Sequence, residues 1–112
     1  MRKIRDRLED VLEAIRRIEI ECASGRGDFD ADPKVQVWVI HHLQIIGEAI
    51  RPIVDDLRSL DAGTPWLEIV GMRHILVHDY FGVDLNEVWS VVANDLGPLK
   101  VTTERILAAI EG

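Results

Sequence analysis

Cysteine is almost missing from this chain: Cys22 stands alone in 112 residues. That excludes an internal disulfide and any metal site built on several thiolates. No window approaches 18 continuous apolar residues, so no membrane span is expected. The opening MRKIRDRLED lacks an apolar h-region, so no secretory signal is expected and a cytoplasmic location follows. Sustained alternating runs joined by hairpin turns are absent, which removes a β-sheet from consideration. There is no H-E-x-x-H, no P-loop, no dinucleotide fingerprint and no glycine-flanked serine nucleophile. Positive charge is in the minority, at −7 net, which argues against strong non-specific nucleic-acid binding but leaves room for a local basic site.

What remains is ordinary for a globular protein, with 47% hydrophobic and 29% charged residues. The length suits one domain over residues 1–112, large enough to bury about two-thirds of its unfolded surface. Helical spacing organises it throughout. Ile4, Leu8, Val11, Leu12, Ile15, Ile18 and Cys22 repeat along a first helix, from about Lys3 to Ala23. Its basic residues, Arg2, Lys3, Arg5, Arg7, Arg16 and Arg17, interleave with Glu9, Asp10 and Glu13 and read as a solvated face. Ser24-Gly25-Arg26-Gly27 should end it. Asp28 to Asp32 reads as an acidic loop, without the spacing of a calcium loop.

Asp32-Pro33 signals a second helix, running to about Ile50. One of its faces carries Val35, Trp38, Val39, His42, Ile45, Ile46 and Ala49; another carries Val37, Ile40, His41, Gln44 and Glu48. A helix apolar on more than one side is central, or becomes so when a partner docks. His41 and His42 read as packed or hydrogen-bonded. Arg51-Pro52 should kink the chain before a short helix, Ile53 to Leu60. Thr64-Pro65 should start a third long helix reaching about Tyr80. Asp84-x-x-Glu87 is a capping box for a helix from Leu85 to about Asn94. Gly97-Pro98 should break it ahead of a last helix, Pro98 to Glu111. The fold class is therefore an all-α bundle of four or five helices.

Ionisable chemistry concentrates in one stretch, GMRHILVHDY, Gly71 to Tyr80. His74 and His78, one turn apart, share a helix face. Arg73 sits about 140° from His78, on a stripe with Trp66, Ile69, Val70, Val77 and Tyr80. A guanidinium there needs a carboxylate, a second subunit or an anionic ligand, since burying it alone is costly. Glu48 is the natural carboxylate to look for near Arg73 or a histidine. Gly71, at a cost of about 1 kcal/mol relative to alanine, invites close approach of another backbone or a ligand. Two histidines alone make an incomplete metal site.

Arginine and histidine without a metal suit phosphodiester cleavage. RNA brings its own nucleophile, the 2′-OH, so the protein needs to move protons and stabilise charge. Arg73 and His78 would not readily grip one phosphate from a single straight helix. Two helices paired about a two-fold axis would bring them together. The alternatives are a non-catalytic helical dimer that binds a nucleotide or partner, with Arg73 in a structural ion pair, and a metal site on His74 and His78.

Arg73, His78 and Tyr80 match R-x4-H-x-Y, and the chain resembles the HepT-like proteins of the HEPN superfamily. The likeness extends over IGEAIR (Ile46 to Arg51), PWLEIVGMRHILVHDYFGVD (Pro65 to Asp84), VWSVVANDLGPLK (Val88 to Lys100) and RDRLEDVLEAIRRIE at the opening helix. The resemblance implies an all-α homodimer with the cleft at its interface. It implies a metal-independent endoribonuclease toxin, without cofactor, in which Arg73 and His78 are catalytic. It implies a partner, an MntA-like nucleotidyltransferase antitoxin that neutralises the toxin by transferring AMP to Tyr80. Where the family often has asparagine or another polar residue, this chain has His74, expected in a supporting role with Glu48 and Asp79.

Overall fold

The computed structural model describes residues 2–78 and 82–111, and among them every regular element is helical. In order these are α1 (Arg2–Glu21), α2 (Arg26–Ala31), α3 (Pro33–Ile50), α4 (Val54–Leu60), α5 (Trp66–His78), α6 (Leu85–Ser90) and α7 (Leu96–Glu111). A 3₁₀ turn, Arg51–Ile53, joins α3 to α4, and a π turn, Val91–Asp95, joins α6 to α7. No described helix is long and apolar enough to cross a membrane.

The core is the helical stripe of the sequence folded inward. Leu8, Val11, Ile15 and Ile18 of α1 close on Val39, Leu43, Ile46 and Ile50 of α3, all of them buried. α3 is central, packing against α1 and against α5, with α7 crossing back over α1. Its start follows the sequence signal: Asp32 accepts from the Lys34 amide at 2.9 Å, with Pro33 at the first helical position. Beyond α1, Gly25 adopts φ 94°, a conformation glycine tolerates and other residues resist.

The expected acidic loop is instead a short helix. α2 forms because its one apolar side chain, Phe29, is fully buried and stacks on Trp89 of α6 with ring centroids 5.3 Å apart. Gln36 donates to the Phe29 carbonyl at 3.0 Å. Arg26 reaches Asp30 at 3.2 Å and also donates to Asn86, so α2 is tied to the start of α6. A lone phenylalanine leaves no period to read, and tertiary packing decides the outcome.

The expected break at Gly97-Pro98 is also corrected. The helix runs through it. Pro98 has no N–H to offer the Asn94 carbonyl, and its ring would press on that carbonyl in a regular turn. The wider π turn just before it absorbs the conflict, with the Leu96 amide donating to Val91, five residues back. Leu96, Leu99, Thr103, Ile106 and Leu107 then face the core.

Thr64, expected to cap α5, gives its hydroxyl to the Asp61 carboxylate. Asp61 also receives Arg105 of α7 at 3.1 Å, and its carbonyl takes the Trp66 indole N–H at 2.9 Å. The Thr64 hydroxyl, with Arg105, holds the Asp61 carboxyl below its usual range. This turn thereby fastens the start of α5 to α7.

Candidate functional site

α5 carries the stretch singled out by the sequence. Its backbone is helical through His78. The side chains of Arg73, His74 and His78, and Asp79 and Tyr80 altogether, lie outside the described residues. What positions them is the backbone and its neighbours. Trp66 and Leu76 are buried, and Ile69 and Met72 pack against the core. The Gln44 amide on α3 donates to the Leu76 carbonyl at 3.1 Å, pinning the register of α5. Ile46 shares a cleft with Ile69 and Met72, and Leu43 one with Leu76. The two helices therefore run antiparallel.

From Leu76 the helical register gives the rest. At about 100° per residue, positions 74 and 78 fall on the strip of Leu67 and Gly71, opposite the core, and position 73 falls about 60° from Leu76. Leu67 is 55% exposed. Among the described residues, a methyl at Gly71 would meet nothing within 4 Å, and none of them makes the close approach anticipated for this glycine. Glu48, exposed on α3 one turn beyond Gln44, comes level with positions 72 and 73. His41, three residues before Gln44 and also exposed, comes level with the end of α5.

The two expected histidine roles on α3 separate. His42 is 3% exposed, and its Nδ1 lies 2.7 Å from the Trp38 carbonyl. A carbonyl only accepts, so Nδ1 carries the proton. His41 packs edge-on against it with centroids 5.2 Å apart and faces out. Trp38 also departs from expectation. Assigned by spacing to a buried face, it is 37% exposed. Lys34, Trp38 and His41 stand at i, i+4, i+7, but the apolar pattern assigned Trp38 to one face and His41 to the other.

Two adjoining clefts, of about 550 and about 510 Å³, run between α5 and the α6–α7 helix. Among the described residues their charged lining is Glu68, Asp84, Glu87 and Asp95. That charge is wrong for a phosphodiester. No described group of three or more His, Cys, Asp or Glu residues is placed to hold a metal ion.

The family model described as "Ribonuclease HepT-like" matches residues 11–106. The chain belongs to the HepT-like ribonuclease family. A relative named "Probable ribonuclease HepT" from Thermococcus cleftensis is 42% identical over 94% of this chain and 96% of its own length. A candidate RNase of Methanocaldococcus jannaschii is 36% identical over 92% of this chain and 95% of its own. Another, from Caldanaerobacter subterraneus subsp. tengcongensis, is 32% identical over 88% and 83%. No solved structure matches significantly. The HepT-like assignment agrees with the all-α architecture, and it attaches a ribonuclease name to the relatives across nearly the whole of this chain.

Proposed function

We propose that this chain, as one domain over residues 1–112, is a metal-independent endoribonuclease acting in the cytoplasm as the toxin of a toxin–antitoxin pair. The observation that carries the reading is the sequence R-x4-H-x-Y, whose Arg73 and His78 fall on a helix with exposed outer positions at Leu67 and Gly71, in a chain of the HepT-like ribonuclease family. Arg73 and His78 are the catalytic groups. His78 moves the proton between the 2′-OH and the leaving oxygen, and Arg73 neutralises the extra charge on the phosphate. The attack of the 2′-oxygen on its own phosphorus forms a 2′,3′-cyclic phosphate and releases a 5′-hydroxyl end. His74 and Asp79 assist, and Glu48, level with position 73, orients the arginine.

Arg73 and His78 diverge around one helix, so two chains pair with α5 against α5 across the open space at Gly71, and one cleft draws on both. Tyr80 receives AMP from an MntA-like nucleotidyltransferase antitoxin. The bulk and negative charge added beside the cleft repel RNA phosphates.

Incubation of purified protein with end-labelled RNA in EDTA tests the catalytic part. Cleavage with cyclic-phosphate ends is expected, and its loss in Arg73→Ala and in His78→Ala. Intact RNA with the wild-type protein, or undiminished cutting by His78→Ala, overturns it. For the regulatory part, nucleotidyltransferase and ATP should add one adenylyl mass to the wild type and none to Tyr80→Phe.

A further inference from the structure

The outer strip of α3 holds an aromatic feature that neither the core nor the Arg73/His78 chemistry uses. Lys34, Trp38 and His41 line up along it, all exposed. The Trp38 indole is fixed in place. Its N–H donates to the Arg17 carbonyl of α1 at 3.2 Å, so its one polar group is satisfied within the chain. Beneath it lies the His42 ring, centroids 4.4 Å apart, itself buried and locked to the Trp38 carbonyl. His41 completes the array. The other two tryptophans are engaged elsewhere, Trp66 in the core and Trp89 against Phe29. Of the three tryptophans, Trp38 is the one whose fixed ring is exposed.

Its charged surroundings fit a phosphate chain. Lys34 is one turn away on the same strip. Arg17, whose backbone holds the indole, shares the single carboxylate of Glu13 with Arg16, which leaves an excess of positive charge. The strip reaches His41, exposed and three residues before the Gln44 that bonds Leu76, which brings it level with the end of α5. Resting on the nuclease reading, we infer that Trp38, flanked by Lys34 and Arg17, is a stacking subsite for an unpaired base of single-stranded RNA next to the scissile phosphate. A fixed indole stacks on any base, and only an unpaired base offers its face to a side chain.

Intrinsic fluorescence of the His78→Ala protein, titrated with single-stranded oligo(rA), oligo(rU) and an RNA duplex, tests this. Oligo(rA) should quench most and the duplex least, and the quenching should vanish in Trp38→Phe, which keeps a stacking ring and stays within a few-fold in affinity. Trp38→Ala should weaken binding by about 5- to 150-fold. Lys34→Ala should reduce the salt slope by about 0.7. In the cleaving protein, Trp38→Ala should raise KM and hold kcat. Wild-type binding and kinetics in Trp38→Ala overturn the subsite and leave the nuclease standing. A changed sedimentation mass in Trp38→Ala overturns it in favour of a protein contact. RNA binding that depends on Trp38 in a wild-type protein that never cleaves supports the subsite and counts against the nuclease.

Discussion

Two positions five apart on a straight helix, here those of Arg73 and His78, stand about 140° apart around it, and that separation makes the proposed shared cleft testable. If Arg73 of one protomer works with His78 of its partner in the shared cleft, the two single variants should complement. Re-equilibrated mixtures of Arg73→Ala and His78→Ala dimers should recover about a quarter of wild-type activity, since half the dimers are mixed and each keeps one of its two cross-chain pairs. Two inactive parents with no recovery would put both residues in one chain. Asp61 makes a second prediction. Its carboxyl is held low by Thr64 and Arg105, so its stabilisation is present above the ordinary carboxylate range and lost as pH falls through the lowered value. The urea midpoint of the wild type should drop more steeply between about pH 6 and pH 3 than that of Asp61→Asn. The residue types of the candidate site were legible because Arg73, His78 and Tyr80 are adjacent in sequence. The exposure of Trp38 was not, because spacing places it among apolar neighbours, and only the α1 carbonyl that captures its indole reveals which side it faces.

Elements were legible where their signals are local. Asp32-Pro33 fixed the start of α3, and Asp84 caps α6 by accepting from the Asn86 amide at 2.8 Å, as its capping motif indicates. α2 and the continuity of α6 into α7 were not, because each is decided by a surface far along the chain: Trp89 for Phe29, and the common core for Leu96 and Leu99. α3 is the element on which the rest bears. Leu43 is fully buried at its middle and lines both clefts beside α5. Leu43→Ala should cost about 2–5 kcal/mol in chemical denaturation, and it should loosen α5 as well as α1. Denaturation indistinguishable from wild type would mean that α3 is not the central support.

Over the whole molecule, charge and openness divide the surface around α5. Carboxylates rim the clefts towards α6 and α7, while the outer side of α3 mixes exposed rings and Lys34 with the carboxylate of Glu48. The −7 total conceals this division, which is why composition alone argued weakly against nucleic acid. The open space at Gly71 gives the assembly-scale prediction. Among the described residues nothing lies within 4 Å of a methyl placed there, so Gly71→Leu should retain the fold by circular dichroism. It should nevertheless halve the sedimentation mass and abolish cutting, if paired α5 helices meet at that glycine. An intact dimer would move the contact elsewhere. The π turn, finally, ties molecular shape to chain length. Val91–Asp95 holds a residue more than a regular helix would, and everything C-terminal to it is rotated accordingly. Deleting any one of those five would tidy the local winding, yet swing Leu99, Thr103 and Ile106 about 100° out of phase with α1. The irregularity keeps α7 facing inward, so its repair would be ruinous.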